Sequence, residues 1–91
     1  MTSDPETRSV PVFNCVVHVG PAADGTIIAR VVNLPGIEAR GQTERESLAN
    51  VVAAFKAEVA RYHGIGESIP FIDSYARPRP EEAERLIAVH L

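Results

Sequence analysis

The chain has 91 residues with 45 % hydrophobic content, and nine Lys and Arg against twelve Asp and Glu give it a net charge of −3. This length allows one domain with one core, while a single cysteine, Cys15, excludes an internal disulfide framework and favours a reducing compartment, the cytoplasm. The acidic balance argues against direct nucleic-acid binding, and no stretch approaches the roughly 18 apolar residues of a membrane span.

The first half of the domain is predicted to begin with a hairpin. Residues 1–10 (MTSDPETRSV) are polar and lack a signal-peptide pattern, so we expect a flexible N-terminal segment ahead of a single domain at 11–91. Residues 11–19 (PVFNCVVHV) alternate with a period of two, which predicts the first strand. Turn residues 20–25 separate it from the β-branched segment 26–33 (TIIARVVN), the predicted second strand.

The next residues set backbone geometry. Leu34, Pro35 and Gly36 are typical of a type II turn, because proline fixes φ near −65° and glycine tolerates positive φ. A short third strand is predicted for 37–41, and Gly41 lets the chain leave the sheet. A phosphate-binding loop would need several N–H groups aimed at one anion, a pattern that this stretch lacks.

A long helix is predicted for 44–63. Thr43 and Glu46 fit a capping box, in which the Thr43 hydroxyl accepts from the Glu46 N–H and the Glu46 carboxylate accepts from the Thr43 N–H. Gly64 is the expected left-handed residue after the helix. The apolar stripe that should face the sheet comprises Leu48, Val52, Phe55, Val59 and Tyr62.

The C-terminal part is less regular. Residues 64–83 are rich in glycine and proline and are predicted to be a connecting loop. Residues 80–85 resemble the first turn of a helix, whereas 86–91 alternate like a strand, and we interpret about 85–91 as a strand. The predicted fold class is therefore α+β, in the order βββαβ, with an antiparallel sheet of three to four strands and one long helix packed on it.

No catalytic, cofactor-binding or metal-binding residue is predicted, and we do not expect an enzyme. Glu38 is the only acidic residue in the first three strand segments, which is too few for two-metal nuclease chemistry. His18, His63 and His90 lie far apart in the sequence, which argues against a metal site. Cys15 and His18 lie three apart on one strand, hence on opposite faces, so Cys15 is interpreted as a small core residue.

Several short motifs together resemble the HicB-like antitoxins of prokaryotic toxin–antitoxin systems. The resemblance covers roughly residues 13–62, with a further match in 86–91. Where family members typically have proline and aspartate before Leu34, this chain has Val32-Asn33; Gln42 replaces a second aspartate and Ser47 an alanine. The motifs that carry the resemblance are Phe13-x-Cys15-x-Val17, Asp24-Gly25, Ile27 to Val31, Leu34-Pro35-Gly36, Gly41-x-Thr43 and Glu46-Ser47-Leu48-x-Asn50.

The resemblance implies part of a ribonuclease H-like fold and a role as a non-catalytic protein-binding module. Such a module, an antitoxin or a solitary relative, would neutralise a HicA-like mRNA-cleaving toxin by occluding it. Because the sequence stops at Leu91, directly after the predicted fourth strand, we expect no C-terminal DNA-binding segment. The alternatives are a stand-alone homo-oligomer of unknown role and a nucleic-acid-binding regulator, which the acidic charge disfavours.

Every predicted strand carries apolar residues on both sides, and one helix cannot cover both faces of a sheet. A solvated antiparallel sheet would have a polar outer face. We therefore expect a homo-oligomer, a dimer or a tetramer, or a toxin on the second face. The alternative is a monomer in which residues 64–80 fold back to cover that face. The candidate contact residues are Val12, Val16, Ile28, Val32, Leu86 and Ala88.

Overall fold

The computed structural model describes residues 11–91 and confirms the predicted fold class. One helix packs on a four-stranded antiparallel sheet, and the order along the chain is βββαβ. The predicted N-terminal segment at 1–10 lies outside the described residues. The elements are β1 (Val12–Pro21), β2 (Ile27–Val31), β3 (Glu38–Gly41), α1 (Glu44–Ile65) and β4 (Ala83–His90).

The sheet has the strand order β3-β2-β1-β4, so the longest strand, β1, lies in the centre and the last strand lies at an edge. Along most of its length β1 pairs with β4, from Val12 opposite His90 to Val19 opposite Ala83. Its pairing with β2 starts only at Val17, opposite Val31. Among the described residues, 11–91, no strand therefore pairs with residues 12–15 of β1 on the β2 side.

Each of the β1–β2 and β2–β3 turns contains a glycine with a positive φ. Gly25 and Gly36 have φ of 89° and 100°, in the left-handed region that favours glycine. Asp24 closes the first turn, since its carboxylate accepts from Thr26 N at 3.0 Å and Thr26 Oγ1 at 2.6 Å. The observed strands differ from the predicted bounds at both ends; β4, for example, begins at Ala83 rather than at residue 85.

Helix α1 begins where the sequence predicts, but its cap differs from the predicted capping box. Thr43 Oγ1 accepts from Glu46 N at 3.1 Å, as expected. The Glu46 carboxylate, however, accepts from Gln42 N at 2.6 Å rather than from the Thr43 N–H. The reciprocal half of the box is thus shifted by one residue, to the N–H that precedes the extended N-cap residue Thr43.

The helix ends at Ile65, two residues later than predicted. Gly66, and not Gly64, adopts the left-handed conformation, with φ 73°. Gly66 N donates to His63 O at 3.2 Å and Glu67 N donates to Tyr62 O at 3.1 Å, which is the hydrogen-bond pattern of a Schellman motif. Either glycine suits this position, and only Gly66 places the two N–H groups on these carbonyls.

The buried face of α1 is centred on positions four residues apart: Ser47, Val51, Phe55 and Val59. The predicted stripe was therefore displaced at its N-terminal end, where Leu48 and Val52 are only half-buried. Ser47 escaped the apolar pattern because serine is polar, yet its hydroxyl is satisfied by Glu44 O at 2.9 Å. Gly41 packs directly against this turn, since a Cβ there would lie 2.6 Å from Ser47 N.

The core lies between α1 and one face of the sheet. Cys15, predicted to be a core residue, is completely buried there, and burial raises the pKa of its thiol to about 12. Phe71, from the segment after the helix, contacts the rings of Phe13 and Phe55 with centroids 6.1 and 6.2 Å away. The other buried apolar residues of this cluster include Val17, Val19, Ala29, Val31, Leu34, Val51, Val59 and Val89.

Candidate functional site

The face of the sheet that points away from α1, here called the second face, carries every residue that the sequence proposed as a contact surface. Cross-strand partners in a sheet point to the same side, and Val16 is opposite Leu86, Ile28 opposite Gly20 and Asn14 opposite Ala88. A row of charged and polar residues divides this face into two parts. It runs across all four strands as Glu38, Arg30, His18 and Glu84.

One part of the second face is apolar and open. Leu86 is 71 % exposed and Val12 is 51 % exposed, both large values for side chains of this type. Ala88 is also exposed, whereas Val16, opposite Leu86, is buried and Val32 is half-buried. The apolar patch below means Val12, Val16, Val32, Leu86 and Ala88; two exposed polar residues, Asn14 and His90, lie among them on the same face. Ile28, the sixth residue proposed from the sequence, lies on the other side of the polar row.

The other part of the second face is covered by residues 71–79, here called the crossover segment. This segment passes from the helix side of the sheet, where Phe71 packs, to the second face, where the Tyr75 ring lies 6.4 Å from that of His18 in an edge-on arrangement. It is anchored at its crossing point by Ile72 N, which donates to Asn33 O at 3.0 Å. The glycine- and proline-rich stretch, predicted to be a connecting loop, therefore also covers part of the second face.

Asn33 lies where the crossover segment meets the sheet. Its side chain hydrogen-bonds the backbone of β1 beyond the end of the β2 pairing: Oδ1 accepts from Val16 N at 3.0 Å and Nδ2 donates to Asn14 O at 2.8 Å. Asn33 is buried, so it supplies partners to backbone groups that water reaches poorly. Sequence reasoning noted Asn33 only as a departure from the family pattern and did not foresee this role.

Between the crossover segment and the polar row lies an open cavity of about 770 Å³. Its walls come from the sheet, from the β2–β3 turn that includes Pro35 and Gly36, and from the crossover segment. Two residues that the sequence assigned to turn geometry thus also line a cavity. The lining comprises His18, Arg30, Val31, Val32, Pro35, Gly36, Ile37, Glu38, Ile72, Tyr75, Ala76, Arg77, Arg79 and Glu82.

Ion pairs organise the polar side of this cavity. Glu82 accepts from Arg30 Nη2 at 2.6 Å and from the backbone N of Arg79 at 2.9 Å, and the Arg79 guanidinium lies 3.5 Å away. Burial alone would raise the pKa of Glu82, but these hydrogen bonds and the two positive charges outweigh it and lower the pKa below its usual value. His18, almost fully buried, places Nε2 2.9 Å from the Glu84 carboxylate.

The described lining of the cavity contains charged, aromatic and apolar side chains and no serine, threonine or cysteine. Within residues 11–91 there is also no group of three or more side chains placed to hold a metal ion. Over the same range the chain has no helix with the length and apolar character needed to cross a membrane. Comparison of the chain with protein-family models, curated proteins and solved structures returned no match.

The remaining motif residues have structural places. Leu34 is buried in the core, Gly41 packs against the first turn of α1, and Thr43 caps the helix. Glu46 binds the backbone just ahead of the cap. Together with Pro35 and Gly36, they hold the β2–β3 turn and the start of the helix in position. The β2–β3 turn forms one wall of the cavity.

Proposed function

We propose that this protein is a non-catalytic, HicB-like protein-binding module whose apolar patch and β4 edge bind a small HicA-like toxin and occlude it. The observation that carries the proposal is the exposure of Leu86 and Val12 beside an edge strand. Exposed apolar surface of this kind commonly marks an interaction site, and an edge strand offers unpaired backbone groups to a partner. The βββαβ order is the one that the resemblance implies.

The net charge supports the same partner. A chain with net charge −3 attracts a basic protein over distances comparable to the Debye length, and proteins that act on RNA are commonly basic. Since the substrate of such a toxin is mRNA, the module would act in the cytoplasm. The chain itself is proposed to have no nuclease activity.

The test uses the protein encoded by the reading frame next to this gene. We expect a small basic product that cleaves mRNA, forms a stable complex with this chain and loses activity in that complex. Leu86→Glu should weaken the complex at least about tenfold, because it places a charge within a desolvated contact. Ala53→Glu is the matched control, since Ala53 is exposed on the helix and lies far from the patch.

Sedimentation of the chain alone tests whether the apolar patch binds a toxin or a second copy of this chain. A monomer of 9.8 kDa that binds the neighbouring product fits the proposal. A homo-oligomer that Leu86→Glu dissociates, with no binding to the neighbouring product, would replace it with the stand-alone oligomer. RNA cleavage by the purified chain with Mg²⁺, lost on Glu38→Gln, would contradict the non-catalytic role.

A further inference from the structure

The cavity beneath the crossover segment has the size and composition of a small-molecule site and shares only Val32 with the apolar patch. Ligand sites in proteins are clefts of roughly 300–1,000 Å³, mostly apolar, with a few polar groups that fix orientation. This cavity measures about 770 Å³ and combines Ile37, Ile72 and Tyr75 with a small number of charged residues. An antitoxin surface does not require such a cavity.

The charge of the lining is opposite to that of the whole chain. Three arginines and two glutamates line the cavity, so with His18 neutral the lining carries a net charge of +1, whereas the chain carries −3. Glu82 pairs with both Arg30 and Arg79, and Arg79 also lies 3.9 Å from the carboxylate of Glu81, which is outside the lining. Within residues 11–91, Arg77 has no ion-pair partner. A single negative charge would balance this lining.

Arg30 retains unused donor capacity in the same place. Its Nη2 donates to Glu82, but its Nε–H is shielded from solvent and has no acceptor within residues 11–91. A buried donor without a partner is costly, so an oxygen that reached it would gain a charge-assisted hydrogen bond. Arg30 itself lines the cavity, so a bound ligand is placed to supply the acceptor that its Nε–H lacks.

We infer that the cavity binds a small organic monoanion, a carboxylate on an aromatic or branched apolar body. The carboxylate lies between Arg77 and Arg30, and the apolar body packs against Tyr75, Ile72 and Ile37. The aromatic ring of Tyr75, edge-on to His18, gives a flat wall for a planar body. A doubly charged anion fits less well, because the net charge of the lining residues is only +1.

The test titrates the ¹⁵N-labelled full chain with three probes: phenylacetate, its neutral analogue phenylacetamide, and acetate. Phenylacetate has both the body and the charge, phenylacetamide only the body, and acetate only the charge. We expect phenylacetate to bind at least about tenfold more tightly than either of the others, a ratio typical of one charge-assisted contact. The largest chemical-shift changes should fall on the amides of Val32, Ile72 and Tyr75.

Two arginine variants test the role of the charge. Arg77→Gln should remove the preference for phenylacetate over phenylacetamide. The spectrum of the free variant should remain that of a folded protein. Arg45→Gln, which changes an exposed arginine in the first turn of α1 outside the cavity, should preserve that preference. Leu86→Glu should also preserve it, so that failure of the antitoxin proposal and failure of this one remain distinguishable.

Several results would overturn the inference. These are equal binding of phenylacetate and phenylacetamide, absence of any shift at millimolar phenylacetate, shifts confined to Val12, Leu86 and Ala88, or equal effects of Arg77→Gln and Arg45→Gln. The first removes anion recognition and the second removes the site. The third relocates binding to the apolar patch, and the fourth reduces it to general charge attraction.

Discussion

The two faces of the sheet are covered by elements of different kinds. The core face is covered by α1, a 22-residue helix whose buried positions recur every four residues. The second face is covered in part by the crossover segment, which has no regular structure and leaves Leu86 and Val12 exposed. Helix α1 thus contributes to the core, while the crossover segment leaves an apolar surface and a cavity open.

The physical reason lies in the backbone. A helix satisfies its own N–H and C=O groups, so it can bury a full face without further partners. An irregular segment must find acceptors elsewhere, and the crossover segment is anchored at few points, among them the bond from Ile72 N to Asn33 O. Segments with few buried contacts open at low free-energy cost, which suits the wall of a binding cavity.

The largest expected effect comes from the helix side. Phe55→Ala should lower the free energy of unfolding by about 3–5 kcal/mol, because Phe55 is fully buried and its removal leaves a cavity. Leu86→Ala, on the second face, should change it by no more than about 0.5 kcal/mol. Urea denaturation measures both. A similar loss for Leu86→Ala would mean that the apolar patch is covered in the isolated chain, and the contrast between the faces would fail.

The next effect concerns the junction between the faces. Asn33→Ala should cost about 2–3 kcal/mol, since it leaves the buried Val16 N–H without an acceptor and Asn14 O without its donor. Asn50→Ala is the matched control, because Asn50 also donates to a backbone carbonyl, that of Arg40, but at an exposed site. We expect a loss of about 0.5–1 kcal/mol there. Equal losses in the two variants would show that Asn33 is not a special junction.

Local patterns in the sequence were enough to predict the helix side. Alternation predicted the strands, and Thr43 predicted the start of α1, because a capping residue and its partner lie within four positions of each other. The predicted helix end and buried stripe were wrong where two nearby residues suited the same position equally well. Gly64 and Gly66 both suit a helix end, and Val51 and Val52 both suit a buried stripe, so only tertiary packing decides between them.

The second face was harder to predict because its contacts are non-local. Arg30 and Glu82 lie 52 residues apart, and no periodicity links them. The bond from Ile72 to Asn33 involves two residues in irregular segments, for which sequence patterns give no register. Counting apolar residues on both sides of the strands correctly identified a face that the helix leaves open. Coverage by residues 64–80 was the alternative to a partner, and residues 71–79 of the same chain cover part of this face.

The smallest expected effect tests how the crossover segment is held, through the pH dependence of stability. The pKa of Glu82 is lower in the folded protein than the usual value of 4.5, because the bonds from Arg30 and Arg79 outweigh the effect of burial. Its stabilising contribution is therefore fully present above pH 4.5 and is lost as the pH falls through the lowered pKa.

Glu82→Gln should accordingly lower the free energy of unfolding at pH 7 by on the order of 1 kcal/mol, and the difference from the wild type should shrink at pH 3. Urea denaturation at the two pH values measures it, with Glu67→Gln as a control in an exposed glutamate that has no ion pair within residues 11–91. If Glu82→Gln behaves like Glu67→Gln, the ion pairs contribute nothing to holding the crossover segment. The segment would then be held by its other contacts, which include those of Phe71 with Phe55, of Ile72 with Asn33 and of Tyr75 with His18.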